Sequence, residues 1–265
     1  MASVVTVAWR HRPLLWSLIR RDLQNRYAGS LAGMGWALLQ PLAMLAVYGV
    51  VFEYVFKVRT SLATQGQPYV LFVAAALWPW LAFQEGVSRG VQAIQSNAAI
   101  VKKVSFPLEL LVLSSVTASF IVQLCGFVFV LTMLSLWGMQ LQYSALPLVV
   151  LAMGVLYLFT IAMVYVLAAL QVYLRDVEQV VAQVMSALFY LTPILYSTTA
   201  VPAWMKAAMQ WNPLVHVIEP LREALLGLGA TQWNSMLLTL AIGGVLVAAA
   251  RRFFCRLARY FEDVL

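Results

Sequence analysis

From Leu110 to Leu174 the chain runs for 65 residues without one Asp, Glu, Lys, Arg or His. As one straight helix this stretch would be about 100 Å long, roughly three times the hydrocarbon thickness of a bilayer. The chain therefore has to turn inside it. Gly138 and Pro147 bracket the segment MQLQYSAL, which is the place for a hairpin. The rest of the chain follows the same rule. It is 63% hydrophobic and 10% charged, against about 25% charged residues in an ordinary soluble domain. Its apolar runs are long and do not alternate, so they read as helices and not as barrel strands. The fold class expected is an all-α integral membrane protein, one transmembrane domain over residues 1–265.

A spanning helix needs about 20 mostly apolar residues. Such runs fall at 33–56, 69–95, 110–137, 146–170, 180–196 and 233–250, which makes six spans. Pro41 sits inside the first and is expected to kink it. Two polar knots interrupt the apolar sequence, NAAIVKKVSFPLEL from Asn97 and VYLRDVEQV around Arg175 and Asp176. Residues 200–229 are apolar but broken by Pro202, Pro213 and Pro220, and they carry Trp204, Trp211, Glu219 and Arg222. Short helices lying in the membrane interface suit them better than a span. Ahead of the first span, residues 10–28 place Leu14, Leu15, Leu18, Ile19, Leu23 and Tyr27 at three-to-four spacing. Arg20, Arg21, Asp22 and Arg26 are left for the remaining surface, which predicts an interfacial amphipathic helix with its basic side toward the headgroups. The short apolar stretch before Arg20 does not read as a cleavable signal peptide.

With six spans both termini share a side. That side collects thirteen of the seventeen lysines and arginines; the other four are Lys57, Arg59, Lys206 and Arg222. The positive-inside rule then puts both termini and both polar knots in the cytoplasm, and residues 200–229 outside. The net charge of +7 is thus a topology signal, and no basic groove with interleaved aromatics points to nucleic acid. Cys125 and Cys255 fall in an apolar run and a basic tail, and read as small fillers without metal-ligand spacing.

The chain contains no Gly-x-x-x-x-Gly-Lys-Ser/Thr loop and no Gly-x-Ser-x-Gly elbow, so the sequence offers neither a nucleotide cradle nor an activated serine. His11 and His216 lie on opposite sides of the expected topology, and no His/Cys/carboxylate cluster suggests a metal. An enzyme is not expected. Ionisable groups inside a membrane are costly and usually functional, yet Glu53, Glu85 and Arg89 all lie near span ends where they can reach water. That counts against an ion-coupled transporter and leaves a translocator whose energy comes from another subunit. Tyr48, Phe52, Trp78, Trp80, Phe83, Tyr190 and Tyr196 admit two readings. One is an interfacial belt plus helix packing; the other is a lane of ring faces along which a repeating sugar polymer could slide.

Four segments carry a family resemblance: LIRRDLQNRYAGSLAGMGWALLQPLAMLAVYGVVF, NAAIVKKVSFPLELL, YLRDVEQVV followed by LFYLTPILYS, and WNPLVHVIEPLREALL. In this order they resemble the type-2 ABC-exporter permeases that move bacterial surface polysaccharides such as O-antigen, capsule or teichoic acid. The resemblance covers about Leu14 to Arg252. It implies a homodimer in the bacterial inner membrane with an ATPase subunit docked under each protomer, ATP and magnesium being held there and no cofactor in this chain. It implies that residues 97–108 form a cytoplasmic coupling helix, with Asn97, Lys102, Lys103, Phe106, Pro107 and Glu109 docking or orienting it. The turn with Arg175 and Asp176 would be a second contact and the helix with Arg20, Arg21, Asp22 and Arg26 a third. Residues 200–229, with Trp204, Trp211, Glu219 and Arg222, would be gate helices over the exit of a channel for lipid-linked polysaccharide. Phe106 also suits an interface on its own chemistry, as a large apolar anchor beside Pro107. The alternatives are a permease of this architecture exporting a drug or small lipid, an ion-coupled secondary transporter, and a membrane-embedded enzyme.

Overall fold

The computed structural model describes residues 4–26, 29, 33–52, 68–102, 106–198, 201–229 and 233–261. Among these residues every regular element is helical. The helices are α1 (Val4–Arg10), α2 (Arg12–Arg26), α3 (Trp36–Val50), α4 (Tyr69–Gln92), α5 (Ala98–Val101), α6 (Glu109–Leu136), α7 (Leu146–Tyr173), α8 (Val177–Leu191), α9 (Ala203–Gln210), α10 (Val215–Leu226) and α11 (Trp233–Leu257). Four stretches are long and apolar enough to cross a membrane: Tyr69–Gln92, Glu109–Leu136, Tyr143–Tyr173 and Trp233–Tyr260. The helices α3 and α8 are apolar but shorter, at 15 residues each. The end of the expected first span, with Glu53, and the flanking Lys57 and Arg59 lie outside the described residues, as do Tyr27 and Lys103.

The charge-free stretch folds as its length demands. Gly138, with φ of 82°, follows the end of α6, and Pro147 sits in the first turn of α7, where its missing N–H costs nothing. The helix α4 is the hub, packed against α3, α6, α7, α8 and α10. Its close approach to α6 and α7 rests on Gly86 and Gly90, four residues apart on one face. A Cβ at Gly90 would lie 2.5 Å from Val164 Cγ1, and one at Gly86 2.9 Å from Thr160 Cγ2. Two helices in lipid associate by such backbone proximity, because lipid gives them no hydrophobic reason to meet. Pro41 and Pro79 lie inside α3 and α4, and each helix continues as one element through its proline.

Several boundaries differ from the sequence expectation. The fifth run becomes helical at Val177, not residue 180, and ends at Leu191. The sixth continues past Ala250 to Leu257. Charges end a membrane segment but not a helix, which runs on into water. Residues 200–229 do contain the short helices α9 and α10, and the second knot is the turn between α7 and α8. Of the helix expected over 97–108, the described residues hold the single turn Ala98–Val101, preceded by a 3-10 turn at Gln95–Asn97. Residues 106 and 107 are not helical, as Pro107 requires of its predecessor.

Hydrogen bonds sort the helix ends into two groups. Gln92 with Glu178, Tyr173 with the Leu257 carbonyl, and Glu109 with Arg251 join one end. Tyr69 with the Leu195 carbonyl and the Gln142 amide with the Leu225 carbonyl join the other. The first group includes the described basic residues of the termini, α2 and the polar knots.

Candidate functional site

The terminal-side end gathers three segments that are far apart in the chain. At its centre is Gln171 of α7, 1% exposed. Its Oε1 accepts the Glu178 amide at 2.8 Å, its backbone carbonyl accepts Gln95 Nε2 at 2.8 Å, and Glu178 Oε1 accepts Gln92 Nε2 at 2.7 Å. The stretch following α4 and the α7–α8 turn are therefore one bonded surface. The third segment is α2. Arg21 Nη2 donates to Asn97 Oδ1 at 2.5 Å, and Asn97 Nδ2 donates to the Ala93 carbonyl at 2.8 Å. Asn97 thus pins the bend between α4 and α5 to α2.

The helix α2 is held deeper still by Arg26. Its side chain is fully buried and donates to Glu85 Oε1 at 2.7 Å, Ser119 Oγ at 2.7 Å and Asp22 Oδ2 at 3.3 Å. Glu85 also accepts Arg89 Nε at 2.9 Å and Gln123 Nε2 at 2.7 Å. The expectation that Arg26 faces the headgroups is corrected. A guanidinium with several donors can bridge α2, α4 and α6, and burying it is tolerable because carboxylates surround it. Glu85 likewise does not simply reach water, since it organises this cluster. Arg20 remains exposed, and Arg21 and Asp22 are half-buried.

Of the residues implied to dock a partner, Lys102, Arg175 and Asp176 are exposed, and Phe106 and Pro107 are half-buried. Phe106 rests against the core. Glu109 is corrected: it is 5% exposed and turned inward. Arg251 grips it with Nε and Nη2, the latter at 3.0 Å, so it ties the start of α6 to α11 and offers no docking charge. The sequence reading missed Gln92, Gln95 and Gln171 as partners in this surface. Their signal was available, as uncharged amides at or just beyond the ends of otherwise apolar helices, whereas Glu178 stood out only as a charge of the second knot.

The aromatic residues divide. Tyr48 of α3 and Trp80 of α4 both contact Phe189 of α8, at 6.4 Å and 5.8 Å between ring centres, and Phe52 stacks on Tyr69 at 5.3 Å. Tyr190 is 67% exposed, while Tyr48, Phe52 and Tyr196 are half-buried. Trp78, Trp80 and Phe83 are buried within the protomer, so these three are packing groups. Trp78 faces Gly126 of α6, where a Cβ would meet its indole nitrogen at 2.8 Å.

At the opposite end, α9 and α10 carry the residues expected at a gate. Trp204 and Trp211 are 73% and 89% exposed. Arg222 is corrected from gate residue to structural post. It is 2% exposed, donates to the Pro193 carbonyl at 2.6 Å and lies 3.9 Å over the Phe72 ring. Burial pushes its guanidinium down to about 10, against the raising effect of the Glu219 and Glu223 carboxylates, so it stays charged at neutral pH. Glu219 lies 3.9 Å away and accepts a bond from Thr198 at 2.5 Å.

The chain is 28% identical over 253 residues to the O-antigen export system permease protein RfbA of Klebsiella pneumoniae, covering 95% of each. It is 32% identical over 223 residues to the protein of the same name from Myxococcus xanthus, covering 82% of each. With the polysialic acid transport protein KpsM of Escherichia coli it shares 23% over 213 residues, 79% of this chain and 80% of that protein. The ABC-2 type transporter model matches residues 13–226, a range that runs from the start of α2 to the end of α10 and holds the joined polar face, the hairpin and the helical hub, so the chain belongs to the ABC-2 type transporter family.

Proposed function

We propose that this chain is the membrane-spanning permease subunit of an ATP-driven exporter that moves lipid-linked surface polysaccharide across the bacterial inner membrane. The names of its relatives give the substrate class. The observation that carries the mechanism is the bonded face made by Arg21–Asn97, Gln95–Gln171 and Gln92–Glu178. Two of the permease's own segments, with α2 as a third, meet there, and the face exposes Lys102, Arg175 and Asp176. A partner that moved this surface would load α4, α7 and α8 together.

In this reading α3 and α8 cross the membrane with the four longer helices, both termini are cytoplasmic, and a separate ATPase seats against the face. Two copies of the chain form the path. The outer faces of α3 and α8, with Leu39, Val47, Val184 and Tyr190 exposed, supply apolar surface for the second copy. The α9–α10 unit lies over the far exit, with Trp204 and Trp211 in the headgroup layer.

The test uses Phe106→Asp. A carboxylate at this half-buried apolar anchor is expected to reduce recovery of the ATPase with the tagged permease and to lower surface glycan at least ten-fold, with permease abundance unchanged. Full assembly and full export in this variant would defeat the coupling reading. Normal surface glycan in a strain lacking the chain would defeat the exporter reading.

A further inference from the structure

A cleft lies beside the N-terminal helices. It opens between the N-terminal helices α1 and α2 and a wall made by α6, α7 and α11, with a volume of about 710 Å³. Leu113, Leu158, Ile161 and Val247 give the wall an apolar lining. Thr117 and Tyr157 also line it, but their hydroxyls bond each other at 2.7 Å and leave little polar demand. Every charged lining residue is an arginine: Arg12, Arg251 and Arg252. Arg251 is engaged from behind by Glu109. Arg12 and Arg252 are exposed, and Arg12 lies 5.2 Å over the Trp9 ring, an aromatic suited to the headgroup layer.

We propose that this cleft binds an anionic phospholipid of the surrounding bilayer, with its phosphate between Arg12 and Arg252 and an acyl chain along Leu113, Leu158, Ile161 and Val247. Charge decides the class. No carboxylate is among the lining residues, so the ammonium of a zwitterionic headgroup would meet two cations and no anion. The apolar length decides against free phosphate, which has nothing to place there. A peptide is disfavoured because the wall has almost no groups to satisfy an unpaired backbone at hydrocarbon depth. Basic pockets between helices at a membrane face suit such headgroups in general.

The lipid would hold α1 and α2 against the bundle, and α2 carries Arg21 and Arg26 into the polar face. The inference rests on the chain spanning a membrane and not on what it exports. Loss of export in Phe106→Asp, or its retention, leaves it unchanged.

Gly244 gives a clean block. It lines the cleft, and a Cβ there meets nothing within 4 Å, so Gly244→Leu fills the cleft without disturbing the helix. Gly154 of α7 is equally unhindered but does not line the cleft, so Gly154→Leu is the control. The full-length permease is titrated with phosphatidylglycerol or phosphatidylcholine in detergent, and bound lipid is counted by native mass spectrometry. Phosphatidylglycerol is expected to be retained in preference to phosphatidylcholine. Arg12→Gln and Arg252→Gln should each weaken it about five-fold and the pair about 25-fold. Gly244→Leu should abolish the tight site while Gly154→Leu leaves it intact. Equal retention of the two lipids, undiminished phosphatidylglycerol in the double arginine variant, or undiminished binding in Gly244→Leu would each overturn the proposal. So would a co-purified polyprenyl-linked lipid that phosphatidylglycerol does not displace.

Discussion

The two ends of this bundle are fastened by different chemistry. At the terminal-side end side chains bind side chains, many of them charged: Arg26 with Glu85, Arg21 with Asn97, Gln92 with Glu178 and Arg251 with Glu109. At the opposite end the long-range fastenings include two side chains that cap backbone carbonyls in the turn after α8, beside polar pairs such as Asn212 with Thr192 and Thr198 with Glu219. Arg222 takes the carbonyl of Pro193 and Tyr69 that of Leu195. A carbonyl cap satisfies a turn carbonyl that no helix or strand pairs and asks little of its neighbours. A buried ion pair binds two particular helices and is costly to break on one side only. The first kind of fastening suits a surface that must move as a unit under load, the second an end whose helices need only stay closed.

The largest effect should come from the ion-pair end. Glu85→Ala leaves Arg26 buried with Asp22 and Ser119 alone. A buried charge left wholly uncompensated costs about 3–5 kcal/mol; Asp22 keeps part of the compensation, so a loss at the lower end, about 3 kcal/mol, is expected in the thermal stability of the purified protein in detergent. Arg26→Ala should cost less, because Glu85 keeps Arg89 and Gln123. The double variant should lose less than the sum of the two, with a coupling of about 0.5–3 kcal/mol. Strict additivity would mean that the pair is only incidental contact.

Next comes Arg222→Met, which keeps the apolar volume and removes one charged donor and the contact over Phe72. Hydrogen bonds involving a charged group are worth about 1.5–3 kcal/mol, so a loss of about 2–3 kcal/mol in the same assay is expected. Export, measured as surface glycan, should fall less than in Glu85→Ala. If Arg222→Met stops export while the protein stays folded, the far end is a working part after all, and the contrast between the two ends fails.

The fold was legible in the sequence wherever composition alone decides it. The charge-free stretch set two helices and a hairpin at Gly138, and the apolar runs fell on the four helices long enough to cross a membrane and on the shorter apolar helices α3 and α8. The site was harder to see because lateral position is not written in hydropathy. Arg26 could have been placed better: Leu15, Ile19, Asp22 and Arg26 follow one another at helical spacing and share the inward stripe of α2, and Asp22 is the i,i+4 partner of Arg26. Reading basic residues as surface hid this. Glu109 and Arg251 lie 142 positions apart, and nothing local links them. The amides Gln92, Gln95 and Gln171 passed unnoticed because only charges were weighed, although an amide inside an apolar helix needs a partner as surely as a charge does.

The smallest effect should come from Tyr69→Phe. The Tyr69 ring is buried between Phe52 and Phe72, with centres 5.3 Å and 6.4 Å away, and phenylalanine keeps that packing. Only the hydroxyl is lost, with its bond of 2.8 Å to the Leu195 carbonyl. Leu195 is half-buried, so its carbonyl can turn to water, and the cost is that of one neutral hydrogen bond, about 1 kcal/mol. The Pro193 carbonyl belongs to a buried residue and has no such recourse when Arg222 is removed. The ratio between these two variants therefore measures how far water reaches into the turn after α8. Equal losses would place both carbonyls in the same dry environment, and a larger loss for Tyr69→Phe would make the tyrosine, not the arginine, the principal fastening of the far end.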